Sequence, residues 1–256
     1  MEIVCLGTGS STGTPVIGCD CATCRSVDPR NKRTRASVAV VIPEGPTLLI
    51  DTGPDLRLQA LREGLIQVDG VLYTHTHADH LNGIDDLRNF CYLQRAPIPV
   101  FGNENTVRDI QARFGYAFAP PGHHWDKPVL TAHAVDAPFQ VAGLDVTPLP
   151  VLHGKLPILG YRIGDIAYIT DVSEIPEATL PLLRDLDVLM LDCLHDRPHP
   201  THIHLARSLE YAQAISARKT YFIHMTHRME FVDTSGKLPD GVELAYDGLR
   251  VRVAPR

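Results

Sequence analysis

The 256-residue sequence lacks any apolar run of 18 or more residues, so it offers no helix of membrane-spanning length. It lacks a basic start followed by an apolar stretch; Glu2-Ile3-Val4-Cys5-Leu6 reads as a strand, no secretory signal is expected, and a reducing cytoplasm is the expected location. Cysteine is sparse, with six residues, three of them crowded between Cys19 and Cys24, which is no disulfide framework for a chain this long. Basic charge is not in excess either. The formal net charge of -6 argues against a general nucleic-acid binder, whose affinity rests on clustered Lys and Arg. Repeats, low-complexity runs and linkers are absent, and residues 1–256 are expected to form one domain. What is present is ordinary for a soluble globular chain, 44% apolar and 21% charged, and the length is enough to bury a core without cross-links.

Strand-like runs occupy 2–6, 36–42, 47–50, 71–73 and 98–101 in the first half, and 139–142, 144–152, 158–163, 166–170, 187–191, 220–224 and 249–253 in the second. Helical patterns fall at 55–64, 83–94, 103–118, 176–185 and 204–217, and 119–137 reads as an irregular connection. Strands first, then strands mixed with helices, fit an α/β fold of two sheets sandwiched between helices.

The densest chemistry is His75-Thr76-His77-Ala78-Asp79-His80. His75 and His77 follow a strand, where alternate side chains share a side, so both imidazoles can meet one metal. Asp79 and His80 lie where the chain turns into a helix and face a neighbouring position, which suits a second metal. The mix of imidazole and carboxylate suits zinc, manganese or iron. Further donors should come from other strand ends, where polar groups are exposed yet rigidly held. His153, Asp171 and His224 are such residues, and Asp171 could bridge two metals with its two oxygens.

His75-Thr-His-Ala-Asp-His80 resembles the HxHxDH signature of the metallo-β-lactamase fold superfamily. The resemblance implies an αββα sandwich of two mixed sheets flanked by helices. It implies that His75, His77 and His153 hold one metal and that Asp79, His80 and His224 hold the other, with Asp171 between them. Asp51, in Leu-Ile-Asp-Thr-Gly, matches another motif of the fold and is expected to support the site through hydrogen bonds. Cys19-Asp-Cys21-Ala-Thr-Cys24 offers three thiolates for a tetrahedral zinc, and His227, three residues after His224, is the candidate fourth donor. This loop resembles that of the PhnP-type phosphodiesterases within the superfamily, which carry a structural zinc.

Two divalent ions, zinc or manganese, would supply a bridging hydroxide as nucleophile, with Asp79 orienting it. The departing oxygen needs a proton. His202, in Pro-Thr-His-Ile-His, is the candidate donor, by resemblance to PhnP-type and tRNase Z enzymes, and His204 is a second candidate. His195 and His199 read as loop residues, and so do His123 and His124, for which lining a cleft is the lesser alternative. Arg57 and Arg88 follow two site-side turns and suit phosphate, although a helix salt bridge is the favoured reading of each. The expected function is a phosphodiesterase opening small cyclic phosphodiesters, of the ribose 1,2-cyclic phosphate or 2′,3′-cyclic nucleotide type. The alternatives are a tRNase Z-like nuclease, a thioester or lactone hydrolase, and a non-catalytic metal-binding protein of the PQQ-biosynthesis type. The expected partner is a small phosphorylated substrate, with nucleic acid and membrane disfavoured, and the resemblance implies a homodimer.

Overall fold

The computed structural model describes residues 1–120 and 125–253. His123 and His124 lie outside the described residues.

Six strands are laid down first: β1 (Glu2–Gly7), β2 (Ser37–Val41), β3 (Thr47–Ile50), β4 (Gly70–Leu72), β5 (Ile98–Gly102) and β6 (Leu130–Ala134). Seven follow: β7 (Phe139–Val141), β8 (Leu144–His153), β9 (Leu156–Ile163), β10 (Ile166–Ile169), β11 (Val188–Asp192), β12 (Lys219–Ile223) and β13 (Val242–Leu244). The last strand, β14 (Arg250–Arg252), returns to the first sheet beside β1. The helices are α1 (Ala22–Arg25), α2 (Leu56–Glu63), α3 (Ala78–Leu81), α4 (Leu87–Gln94), α5 (Glu104–Arg113), α6 (Leu205–Ile215) and α7 (Phe231–Ser235).

The strands form two seven-stranded sheets, ordered β14-β1-β2-β3-β4-β5-β6 and β13-β12-β11-β10-β9-β8-β7. Each sheet has an antiparallel half and a parallel half. In the first, β1 to β3 are antiparallel and β3 to β6 parallel. In the second, β7 to β10 are antiparallel and β10 to β13 parallel.

The period-two alternation of strands sorts the core. Val38 and Val40 of β2, with Val188 and Met190 of β11, point into the layer between the sheets. Their neighbours point outward: Ala39 toward the layer that includes Leu56, Phe90 and Ile110 of the helices, and Leu189 and Leu191 toward Tyr211 and Ala212 of α6. Strands covered on both faces carry unbroken apolar runs, as in Val-Leu-Met-Leu of β11.

The structure departs from the sequence pattern in several places. Residues 119–137 contain a strand, β6; it is an edge strand with mostly exposed side chains, so it shows no apolar face. The helix expected over 176–185 is only a 3-10 turn at Leu180–Leu183, because Pro176 and Pro181 deny the backbone N–H groups a longer helix needs. The segment 103–118 stops being α-helical at Arg113 and continues as a 3-10 turn, Gly115–Phe118. Likewise a 3-10 turn, Ile84–Asp86, precedes α4. The short α1, α7 and β13 carry too few residues for a periodic signal. Among the described residues no helix is long and apolar enough to cross a membrane.

Candidate functional site

One edge of the sandwich collects the polar strand ends. Asp51 follows β3, the His75–His80 segment follows β4, His153 closes β8, Asp171 follows β10, Asp192 closes β11 and His224 follows β12. Asp51, Asp171 and His224 have left-handed backbones, with φ of 62°, 52° and 57°. Such conformations are disfavoured for residues with a Cβ, cost about 1–3 kcal/mol each, and cluster at functional sites. Glycine supplies the fit between the two loops of the first sheet. A Cβ on Gly53 would lie 2.2 Å from the Asp79 carbonyl oxygen, and one on Gly83 would lie 2.0 Å from that of Gly53. The loops are laced together by Thr52 N–H donating to His80 O at 2.8 Å and Gly83 N–H donating to Thr52 O at 2.9 Å.

Two groups of four donors result, and Asp171 belongs to both. His75, His77, His153 and Asp171 offer ligand atoms within 4.8 Å of one another, as do Asp79, His80, Asp171 and His224. His80 Nε2 lies 3.1 Å from Asp171 Oδ1 and 3.2 Å from Asp79 Oδ2, and His224 Nε2 lies 3.3 Å from Asp171 Oδ1. The tautomers are set from behind. His80 Nδ1 donates to Asp51 Oδ2 at 2.8 Å, and His153 Nδ1 donates to Thr201 O at 2.7 Å. Thr74 Oγ1 donates to Asp51 Oδ2 at 2.8 Å and accepts from His75 Nδ1 at 3.0 Å. Each ring therefore turns a lone pair on Nε2 toward the centre, as metal-ligating imidazoles do. Asp51 orients two of them, one directly and one through Thr74, which is the supporting role read from the sequence.

The cluster fits metal. His75 Nε2, His80 Nε2 and His224 Nε2 are buried with no hydrogen-bond partner. Buried polar atoms are ordinarily satisfied, and here those without partners converge. Burial pushes His75 well below, and His153 below, the usual imidazole value, which keeps both in the neutral, ligating form. Burial works against charge on His80, yet Asp171 and Asp51 hold its pKa well above the usual value. Burial likewise opposes charge on Asp79, but the His224 and His80 rings beside it keep its carboxyl far below the ordinary range. The carboxylates thus draw positive charge to the place where a cation would sit.

His202 stands beside both groups. Its ring centroid is 4.7 Å from that of His153 and 5.0 Å from that of His224. Its Nδ1 donates to Asp192 Oδ2 at 3.0 Å, and its Nε2 lies 3.9 Å from Asp171 Oδ2. Burial lowers the affinity of this ring for a proton, but the Asp192 carboxylate outweighs it and raises the pKa. Asp192 is fully buried and also accepts Val172 N–H at 3.0 Å, and its Oδ1 lies 3.7 Å from His224 Nδ1. Sequence reading ended that strand at 191 and missed it. The signal was available: Val-Leu-Met-Leu-Asp192 has the same form as the apolar runs before Asp51 and Asp171.

Three other candidates lie elsewhere. His204 is the residue before α6; its carbonyl accepts Ser208 N–H at 2.8 Å, and its side chain joins neither donor group. Arg88 pairs with Asp85 at 3.5 Å on the half-exposed face of α4. Arg57 lines an apolar groove between α2 and α4 with Leu61 and Phe90. Among the described residues, neither guanidinium bonds to a side chain of the metal-type cluster, and Arg88 makes the helix salt bridge.

The thiols form a separate site. His227 Nδ1 lies 3.2 Å from Cys19 Sγ and 3.5 Å from both Cys21 Sγ and Cys24 Sγ. A tetrahedral zinc with ordinary Zn–S and Zn–N bonds separates its S and N ligands by about 3.5 Å, so the four residues are spaced for it. The Cys24 N–H draws the Cys21 thiol down to about 6, while burial pushes Cys24 up to about 11. Arg33, buried and donating to the carbonyls of Thr226 at 3.1 Å and Met229 at 2.5 Å, braces the turn that carries His227.

Comparison with known proteins agrees with this geometry. The model of the β-lactamase superfamily domain matches residues 47–225. A solved diphosphatase from the PhnP family is 42% identical, with a TM-score of 0.91, over 98% of this chain and 96% of that one. The octanoyltransferase of Porphyromonas gingivalis is 38% identical over 97% of this chain, which spans 51% of that protein. Zn(2+)-bound PqqB from Methylobacterium extorquens shares the fold, with a TM-score of 0.77 and 19% identity over 99% of this chain and 100% of that one.

Proposed function

The chain belongs to the metallo-β-lactamase superfamily and is of its PhnP type, and on that premise we propose that it is a metal-dependent hydrolase that cleaves small phosphodiesters, cyclic ones of the ribose 1,2-cyclic phosphate or 2′,3′-cyclic nucleotide type among them. The observation that carries this reading is the pair of four-donor groups joined at Asp171, with a proton donor held beside them on its own carboxylate.

In this reading His75, His77, His153 and Asp171 hold one divalent cation and Asp79, His80, Asp171 and His224 the other. Cys19, Cys21, Cys24 and His227 hold a structural zinc. The bound cations would supply Lewis acidity and a water that ionises near neutral pH. The chain's own residues do the rest. Asp79, the most accessible carboxylate of the cluster, accepts a hydrogen bond from the attacking water and orients it. Asp51 keeps His75 and His80 from turning. His202 carries a proton toward the departing oxygen, and Asp192 holds its ring in place and favours its charged form.

A second reading, hydrolysis of a diphosphate linkage, is favoured by the PhnP-family diphosphatase that shares 42% of the sequence. The name octanoyltransferase belongs to a protein of which this chain spans about half. Acyl transfer through a thiol finds no group here, because Cys5, Cys91 and Cys193 are buried in the core and the other three gather on His227. The tRNase Z-like and PQQ-type alternatives rest on likeness of fold, and the complete donor set favours an enzyme over an accessory protein.

The test is turnover of bis(p-nitrophenyl) phosphate and of a panel of small cyclic phosphates by protein of measured metal content. Metal-dependent turnover is expected. A protein loaded with metal at the Asp171 cluster that cleaves no phosphodiester or diphosphate would overturn the proposal.

A further inference from the structure

Outside the metal-type cluster, the loop between β11 and α6 presents a row of imidazoles whose place is set by His202. The ring centroid of His199 is 5.2 Å from that of His202, and that of His195 is 5.8 Å from that of His199. The row runs from the buried proton donor to the surface, where His195 is partly and His199 largely exposed. Backbone hydrogen bonds set their tautomers. His195 Nδ1 accepts Arg197 N–H at 3.2 Å, and His199 Nδ1 accepts Thr201 N–H at 3.4 Å. An imidazole that accepts at Nδ1 carries its hydrogen on Nε2. Each ring therefore offers a donor to whatever lies over the loop, with no change of protonation required.

The loop is braced. Leu205 N–H donates to His195 O at 2.9 Å, Thr226 N–H donates to Leu194 O at 2.9 Å, and Pro198 and Pro200 flank His199. Asp196 pairs with Arg228 at 2.8 Å and lies 3.9 Å from the largely exposed Arg197, so two guanidiniums share one carboxylate and the local charge is positive. Donors fixed in advance on a positively biased loop suit phosphoryl oxygens.

We propose that His195 and His199 form the leaving-group side of the active site and accept a phosphoryl leaving group, so that the substrate class is a diphosphate. This rests on the phosphorus chemistry proposed above and selects its second reading, the diphosphate linkage, over the cyclic phosphodiester. If His202 delivers the proton, the departing oxygen lies against His202 and its substituent extends along the loop, over His199 and then His195. In a cyclic phosphodiester the departing oxygen stays tethered to the sugar and brings no second anion to this place. In a diphosphate diester, one P–O bond forms to the oxygen of water and the bridging P–O bond breaks. The bridging oxygen departs as a phosphate monoester with the proton from His202. The proton released by the water returns to His202 through solvent. Two phosphate monoesters result.

The experiment compares ADP-ribose, a diphosphate diester, with bis(p-nitrophenyl) phosphate on metal-loaded wild-type protein and on His195→Ala, His199→Ala and His199→Gln. Each alanine variant is expected to raise KM for ADP-ribose about tenfold relative to its effect on bis(p-nitrophenyl) phosphate. His199→Gln should recover most of that selectivity, because the glutamine amide places a donor near the Nε2 position. Wild-type protein that cleaves bis(p-nitrophenyl) phosphate but not ADP-ribose would overturn this inference and leave the general reading standing. Equal effects on both substrates, or none, would overturn it in the same way. Wild-type protein that cleaves neither would overturn both.

Discussion

Asp192 reaches two imidazoles with one carboxylate: Oδ2 takes the Nδ1 hydrogen of His202 at 3.0 Å, and Oδ1 lies 3.7 Å from His224 Nδ1. The consequence for pH has a definite sign. The Asp192 charge raises the His202 pKa against the effect of burial, so the proton needed by a general acid persists to higher pH. Asp192→Asn removes that charge and should move the alkaline limb of the kcat/KM profile toward lower pH; a limb that stays in place would contradict the pairing. His202→Ala should keep both cluster metals but lose about a hundredfold or more in rate on esters with poor leaving groups, and much less on an activated nitrophenyl ester. Equal losses on both would count against proton donation. At this scale the sequence was most legible. His75, His77, Asp79, His80, His153, Asp171 and His224 could all be named because each follows a strand and offers a donor, and the structure brings them together. Asp192 escaped notice because an aspartate after a strand is so often a turn residue. For Arg57 and Arg88 the sequence was least informative, because nothing in the spacing of an exposed helical arginine tells which way it points.

Among elements, the loops that end β3 and β4 matter most, because the cluster depends on their close approach. Gly83→Ala puts a Cβ 2.0 Å from a backbone oxygen that cannot turn aside, so the loop carrying Asp79 and His80 must shift. The expected result is a folded protein with metal affinity at the Asp171 cluster lowered by about 10–100-fold, checked by metal titration of the apoprotein. Unchanged affinity would show that the loop contact does not place the ligands. The thiol loop makes a different prediction. Cys21→Ser should lower zinc content by one ion per chain and lower the melting temperature, with zinc measured on the purified protein. Full zinc content would rule out the four-residue site. Elements were legible where periodicity had room to show. The buried strands β2, β3, β10 and β11 announce themselves as apolar runs, and α6 as an amphipathic helix. Edge strand β6 and the proline-interrupted 176–185 segment did not. An edge needs no apolar face, and a leucine-rich turn carries the composition of a helix without the hydrogen bonds.

Across the whole molecule, two sheets of similar design meet along an apolar layer and share one polar edge. The first sheet contributes Asp51 and the His75–His80 segment, and the second contributes His153, Asp171, Asp192 and His224. No local stretch of sequence contains this meeting, and the resemblance to a known fold supplied what pattern alone left loose. Because both sheets feed the cluster, cations bound there tie the two sheets together. Chelation should therefore lower the melting temperature of the entire protein, and readdition of metal at 100 times its dissociation constant should restore about 2.7 kcal/mol of stability. A melting temperature indifferent to chelator would mean that the edge is held without metal.

The most direct measurement is an anomalous-scattering map from crystals grown with zinc or manganese supplied. The account predicts two peaks flanking Asp171, one among His75, His77 and His153 and one among Asp79, His80 and His224, each about 2.0–2.2 Å from its nitrogen and oxygen ligands. A map from metal-replete crystals without those two peaks, or with the histidines turned away from Asp171, would contradict it.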